Sequence, residues 1–426
     1  MERKQFAGGV RWLLMAVFAG AAAVCFCAGA DAGEVLTLEE CLRIAAENHP
    51  SVAGAAAQID AERGRLKQAV VGDKLTVSGS ASSERARTSS GEGASYSAGV
   101  SASAKIFDAN RNKYSVDAQR YSLSGTEESA RETLLKVRTN VKSAYMALLL
   151  SLETEKQRSE SVDAFTRHLE QAQGFYKAGS KPWYDVTKAK VDLGNAELAL
   201  IEAKGNVAVA RRELMNAIGA EFEGPFEARP AELHLPGDAE SRAEQTALEN
   251  RPDYKAADLS VLAQRSTIEA EARGMSPTIN VVGGYNTNGD QIYDLDRGWN
   301  AGVQLSVPVV DGGETKAKVE TARAQLRSLE ATREKLRQDI MLDVGKALTE
   351  LIRTREQVRV SALTLEDAEE NRKLAEGRYN AGVGTPLEVT DALLGLADAQ
   401  LSSYNARYNL QIAIISLENA VGVEFN

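Results

Sequence analysis

Proline is scarce in this 426-residue chain, nine in all. None occurs between Ser51 and Lys181, or between Val309 and Thr385. A proline ring interrupts a helix interior, so those two gaps leave room for helices of unusual length. Aromatic residues make up only 6%, while Ala, Leu, Glu, Lys, Gln and Arg prevail, a composition that favours long helices. The three cysteines are Cys25, Cys27 and Cys41, too few for a disulfide framework. The three histidines, His49, His168 and His234, show no metal-ligand spacing. No nucleophile elbow or zinc-protease signature appears, and Asp311-Gly312-Gly313 lacks the Lys-Ser/Thr of a phosphate loop. No cofactor site and no enzyme chemistry is therefore expected. A formal net charge of −10 argues against nucleic acid, which selects basic surfaces. Nor does any stretch beyond the N-terminal segment supply the roughly 18 apolar residues of a membrane-spanning helix.

The first 32 residues read as a secretory signal. Arg3, Lys4 and Arg11 give a positive start, Trp12 to Cys27 an apolar run, and Ala28-Gly29-Ala30 a small-residue cleavage motif. Val24 and Phe26 fit poorly the small residue expected before a lipid-modified cysteine. Export with cleavage near Ala30 or Ala32 is the expectation, leaving Cys41 as the one mature thiol.

The mature chain is written twice. With a shift of 203, Tyr176–Leu198 and Tyr379–Leu401 share Tyr, Ala, Gly, Val, Thr, Ala, Leu, Ala and Leu in phase, without a gap. The same shift pairs Ala98-Gly99-Val100 with Ala301-Gly302-Val303, and Asp108 with Asp311. It also pairs Leu214, Asn216, Ala217 and Gly219 with Leu417, Asn419, Ala420 and Gly422. A shift of 202 aligns Glu47-Asn48-His49-Pro50 with Glu249-Asn250-Arg251-Pro252. Such phase over the whole length marks an internal duplication. Pro225, Pro230 and Pro236 cluster between the copies, which makes 222–238 the linker between a first repeat at 33–221 and a second at 239–426.

Each copy reads helix, two strands, long helix, turn, helix. Thr37 with Glu40 forms a capping box at the first helix. The long helices run from Asp108 to Lys177 and from Asp311 to Asn380, each about 100 Å at 1.5 Å per residue. Helices of that length need neighbours packed alongside, as in coiled coils. The strand segments lie at about 75–107 and 277–310, and in each copy eleven residues alternate strictly. Tyr96, Ala98, Val100, Ala102, Ala104 and Ile106 oppose Ser97, Gly99, Ser101, Ser103 and Lys105. Trp299, Ala301, Val303, Leu305, Val307 and Val309 oppose Asn300, Gly302, Gln304, Ser306 and Pro308. Eleven residues suit a tilted membrane strand with an aromatic at the interface. The same alternation also describes an amphipathic sheet in a soluble sandwich. Four strands cannot close a barrel, and open edges do not survive in lipid. Membrane strands here would have to be pooled by several chains.

The signal segment, LTLEECLRIAAENHPSV, the strand exit PVVDGGETKAKVETA and YNAGVGTPLEVTDALLGLADAQLSSYNARYNL together resemble the TolC-type outer-membrane efflux protein family, from Leu36 to about Gly422. The resemblance implies a mainly α fold with a transmembrane β-barrel part. Three protomers would share a twelve-stranded barrel and a long α-helical periplasmic tunnel. Implied partners are two further copies, outer-membrane lipid, a periplasmic adaptor, and an inner-membrane transporter of the RND or ABC type. The implied function is a passive exit duct for efflux or type I secretion. The alternative kept beside it is a non-conducting periplasmic scaffold or adaptor, although no lipoyl-like segment is evident.

The resemblance also implies residue roles. Glu388 and Asp391 match an acidic ring at the periplasmic aperture. Thr385-Pro386-Leu387-Glu388 equally reads as a capping box with proline at the first helical position, so Glu388 stands between pore and cap, and Asp391 is the better pore candidate. Asp185 and Tyr379 match positions that hold a closed tip together, with a packed helix-end tyrosine as the plainer reading. Gly384 stands where the family pattern has an arginine, leaving closure to other contacts, with Lys181 a candidate, or leaving the tip less tightly held. Gly179 and Gly382 fit left-handed helix ends in turns that the resemblance assigns to adaptor contact. Tyr96 and Trp299 are expected at the membrane interface, or as ordinary packed aromatics.

Overall fold

The computed structural model describes residues 35–88, 91–220, 227–237 and 239–425. The signal segment and most of the N-terminal part of the linker lie outside them. Two halves repeat one order of elements. A short strand β1 (Val35–Leu36) leads into α1 (Leu38–Asn48), α2 (Pro50–Val71), β2 (Thr76–Thr88), β3 (Gly91–Phe107), α3 (Arg111–Lys177) and α4 (Trp183–Ile218). After β4 (Glu227–Ala228) come α5 (Ala239–Asn250), α6 (Pro252–Ala272), β5 (Thr278–Gln291), β6 (Asp294–Ser306), α7 (Glu314–Asn380) and α8 (Pro386–Val421). The expected long helices are present, and both have 67 residues; α4 and α8 both have 36.

The first helix of each copy is two helices. Pro50 and Pro252 each occupy the first turn of the second piece, where the missing N–H costs nothing. His49 caps α2, its Nδ1 accepting from the Ser51 amide at 3.1 Å. These breaks coincide with a close approach that accounts for two paired identities of the duplication. Gly219 and Gly422 end α4 and α8 at φ 73° and 74°. A Cβ at Gly219 would lie 3.0 Å from His49 Cα, and one at Gly422 2.9 Å from Arg251 Cα. The end of each copy's last helix thus presses on that copy's proline break, and only glycine satisfies both space and φ.

β2, β3, β5 and β6 form one antiparallel sheet in that order, while β1 and β4 pair in parallel. The Tyr145 hydroxyl lies 3.0 Å from the Leu36 carbonyl oxygen and 2.8 Å from that of Arg229, tying both short strands to α3. The linker is thereby stitched to the N-terminal strand, a pairing the sequence did not suggest. β6 was expected to continue to Val309; it ends at Ser306, before Pro308, which has no N–H for the ladder.

Around the long helices the core falls into separate clusters. One joins α1, α3 and α4 around Tyr145, Met146, Leu148 and Leu214. Another joins α5, α7 and α8 around Ile340, Val344, Leu351 and Leu417. Between these halves, Lys142 Nζ sits 2.7 Å from Glu418 Oε2, both side chains at most 5% exposed. The other Glu418 oxygen accepts from the Phe425 amide at 2.7 Å, and Arg138 grips both oxygens of Glu424 at 2.7 Å. Burial raises the Glu418 pKa, and Lys142 opposes that shift. Lys142→Met should cost about 3–5 kcal/mol, because it leaves a buried carboxylate unpaired. Adding Glu418→Leu should return much of that loss, as read from denaturant midpoints of the single and double variants.

Candidate functional site

The far ends of the α3–α4 and α7–α8 hairpins lie together and carry most of the residues singled out above. Both turns are built alike. At the first, the Gly179 amide donates to the Tyr176 carbonyl at 2.9 Å and the Ser180 amide to Phe175 at 3.0 Å. At the second, the Gly382 amide donates to Tyr379 at 3.1 Å and the Val383 amide to Arg378 at 3.1 Å. Gly179 and Gly382 have φ of 73° and 76°. This closes the last carbonyls of each long helix in the left-handed manner expected.

Gly384 has a different reason to be glycine. Its amide donates to the Arg378 carbonyl at 2.9 Å. A Cβ would stand 2.7 Å from the Tyr379 nitrogen and 2.9 Å from the Arg378 carbonyl carbon, both backbone. An arginine cannot be placed there without moving the turn. Lys181, its equivalent in the other copy, reaches across instead. Its Nζ lies 3.4 Å from the Gly384 carbonyl oxygen and 5.2 Å from the centre of the Tyr379 ring, joining the two turns by a hydrogen bond and a cation–π contact.

Tyr379 is 1% exposed. It packs with Phe165, Ala196, Val389 and Leu393, meets Phe175 edge-on at 5.3 Å and tilts against His168 at 5.5 Å. Its hydroxyl and His168 Nδ1 are buried without a hydrogen-bond partner. Asp185 is buried in the first turn of α4. It is near enough to act on the Tyr379 and His168 electrostatics, but no hydrogen bond joins Asp185 to Tyr379. Besides the Lys181–Gly384 contact, a buried bond that the sequence did not suggest joins the hairpins: Thr390 Oγ1 donates to Asp192 Oδ2 at 3.1 Å, and Lys188 pairs with the other oxygen. Both residues sit in helical runs where a lone Thr or Asp reads as a solvated face, and the only hint was that Thr390 recurs as Thr187.

The two acids separate clearly. The Glu388 amide donates to Thr385 Oγ1 at 3.2 Å, the capping-box bond. Its carboxylate accepts from Arg378 Nε at 3.1 Å and from the Thr385 hydroxyl at 3.3 Å. Those donors, Arg378 first, hold its pKa below the ordinary value. Asp391 is exposed one turn on and has no ion pair among the described residues. The sequence-equivalent windows 163–195 and 366–398 also differ in charge. The first holds five bases and four acids, of which Asp185 and Asp192 are buried; the second holds three bases and eight acids. Acidity thus collects on the second hairpin. A focused anionic surface of this kind favours cations.

At the opposite end the sheet leaves one face apolar and exposed. Val100, Tyr285 and Trp299 stand in one cross-strand row, with Trp299 79% and Val303 70% exposed. The other face carries Ser78–Ser101 and Ser82–Ser97 hydroxyl pairs at 3.0 and 2.8 Å. Tyr96 lies on the Trp299 face, but its row meets β5 at Gly289 and that of Trp299 at Tyr285. Equivalents under the duplication are therefore four residues out of register, the stagger of tilted barrel strands. β2 and β6 each present an unpaired edge within the chain.

Two predictions rest on the tip. Tyr379→Phe should leave thermal stability unchanged or slightly raised, because the hydroxyl it deletes is buried and unpaired. Tyr379→Ala should cost about 3–5 kcal/mol through the cavity it leaves. Acidification should also loosen the tip. Burial lowers the His168 pKa from 6.5, against Asp192, Asp185 and Glu376, which raise it; Lys188 also lowers it. The folded state thus binds the proton less readily than the unfolded one, so stability is full above pH 6.5 and declines as pH falls below it. His168→Phe should flatten that slope in thermal midpoints taken between pH 7.5 and about 5.

Comparison with known proteins points one way. The sequence pattern described as "Outer membrane efflux protein" matches residues 41–220 and 244–423. The Outer membrane efflux protein BepC of Brucella suis is 23% identical over 337 residues, 76% of this chain and 71% of its own length. The outer membrane protein TolC of Vibrio cholerae is 24% identical over 413 residues, 90% of each chain. Among solved structures, one of CusC superimposes with a TM-score of 0.81 at 19% identity, covering 93% of this chain and 95% of that one. VceC of Vibrio cholerae superimposes at 0.78 and 17% identity, covering 91% and 97%.

Proposed function

The chain belongs to the outer membrane efflux protein family, and from that premise we propose that three copies build one outer-membrane exit duct, fed from the periplasm. It is an outer-membrane efflux channel with a helical tunnel. The observation that carries the trimeric reading is the sheet: four strands, two unpaired edges, one apolar face open to its surroundings. In hydrocarbon an unpaired ladder edge costs several kcal/mol for each orphaned group. Pairing β6 of one copy with β2 of the next removes every edge when three copies close a twelve-stranded ring. The Ser- and Asn-bearing face then lines a water-filled passage, and the Trp299 face meets lipid. Trp299 and Tyr96 belong at the lipid–water boundary in this reading.

In this reading the passage is passive. Energy would come from an inner-membrane pump of the RND or ABC type through a periplasmic adaptor, which meets the turns around Gly179 and Gly382. Asp391 forms the principal aperture charge, with Glu388 secondary because Arg378 and its own helix cap already engage it. The signal segment at 1–32 and the repeat boundaries at 33–221, 222–238 and 239–426 fit this layout.

Purified protein should insert into planar bilayers and conduct ions. A chain that stays monomeric and soluble without detergent overturns the reading and favours a scaffold or adaptor. Asp391→Asn should lower cation preference and relieve block by multivalent cations. Adding Glu388→Gln should add little. Unchanged reversal potentials in a salt gradient would reject the aperture assignment.

A further inference from the structure

Between the sheet and the tip, a cavity of about 640 Å³ opens where α6 lies alongside α3 and α7. Tyr114 and Tyr121 line it from α3, and Arg323 and Arg327 from α7. These two arginines stand apart from the rest of their helix. Of the nine arginines in α7, seven hold an acid: Arg333, Arg337, Arg353, Arg355, Arg359, Arg372 and Arg378. Arg323 and Arg327 are exposed and have no hydrogen bond or ion pair among the described residues. The other charges at the cavity are engaged. Arg265 pairs with Glu330 at 3.1 Å and Glu269 with Arg273 at 2.8 Å, while the Arg273 guanidinium lies 4.0 Å from the centre of the Tyr114 ring. Glu320, a turn from Arg323, and Glu330, a turn from Arg327, both lie outside the lining.

Helix phase places the cavity on the inner side of the tunnel. An exposed stripe of α8 carries Asp391, Asp398, Asn405, Ser416 and Asn419, and Asp391 is the aperture charge of the reading above. Ser416 and Asn419 border a second cavity together with Met341 and Gly345 of α7. Arg323 and Arg327 precede Met341 and Gly345 by 18 residues each, about five turns, and so stand on the same side of α7. The opposite side, with Lys318 and Gln325, meets α6 in a separate groove. The two arginines sit about 15–20 Å along α7 from its start beside the sheet.

We propose that this cavity is a binding station, inside the passage, for a drug-sized organic anion with a flat apolar body and carboxylate or sulfonate groups. Guanidinium forks bind such oxyanions in pairs. Leu262, Ile268 and Leu326 supply apolar walls, and Tyr121, 36% exposed, a ring for the body of the ligand. The volume falls in the range that encloses a drug-sized molecule. An inorganic anion would engage the arginines and leave those walls wet, so an amphiphilic acid is the ligand that uses both. The site is complete within one chain, and only its place in the passage rests on the trimeric reading above.

The test titrates naphthalenedisulfonate, a dianion with a flat apolar body, with the full-length trimer in neutral detergent and follows fluorescence anisotropy. Binding should saturate. Arg323→Gln with Arg327→Gln should weaken it by about tenfold for each arginine removed, and the double Lys variant should fall between the two. Tyr121→Leu should weaken it by about threefold. Equal binding by the double Gln variant, or displacement by sulfate at matching concentration, overturns the proposal. A second arm places the cavity. Arg327→Cys on a Cys41→Ala background, labelled with a polyethylene glycol maleimide, should lower single-channel conductance in planar bilayers. Undiminished conductance puts the cavity on the outer wall and overturns its role in the passage. Unlabelled channels that never conduct sink the trimeric duct instead, while the anisotropy titration judges the cavity by itself.

Discussion

A backbone amide inside hydrocarbon has no water to turn to, and that constraint governs the rest of this molecule. Among the described residues the four strands leave two ladder edges open, and an open edge is costly in hydrocarbon. Within the chain the helices follow the strands: each strand pair emerges between a proline-broken helix and a 67-residue one. The long helices in turn require partners along their length, which the 36-residue helices supply over one part and α2 and α6 over another. The separate hydrophobic clusters are the outcome, strung along the helices where a globular domain would have one centre.

Much of this could be read from residues alone. The proline gaps bounded α7 at both ends, and α3 at its C-terminal end, to within a few residues, and period-two alternation placed the strands. Failures came where the decisive contact is distant in sequence. His49-Pro50 looks like continuing helix until one sees Gly219 pressed against it. β1 and β4 are two residues each, below any periodicity, and exist because Tyr145 draws both backbones to one hydroxyl. The Asp192–Thr390 bond spans 198 residues, and no local pattern distinguishes it from a solvated polar pair.

At the tip, duplication supplied a scaffold and divergence supplied the chemistry. The turn glycines and the Val-Thr step recur because they build the same bend twice. The residues that differ carry the distinctions: Lys181 against Gly384, Asp185 against Glu388, Lys188 against Asp391. The first of these pairs is a contact across the two hairpins, one copy's side chain on the other copy's backbone. The arginine expected at Gly384 proved sterically inadmissible, and the reason is backbone proximity that only coordinates reveal. Glu388 illustrates the reverse case, where helix-start chemistry read from sequence accounted for the observed bonds.

The matched lengths, 67 with 67 and 36 with 36, act as a ruler cut twice. Seven residues added to one long helix would advance its turn by about 10 Å, carrying Lys181 away from Gly384 and Asp192 away from Thr390. Reach across the periplasm can therefore change only by paired insertions, made at corresponding places in both copies and in both arms of each hairpin. The duplication thus fixes the step size in which such a protein can lengthen or shorten during evolution.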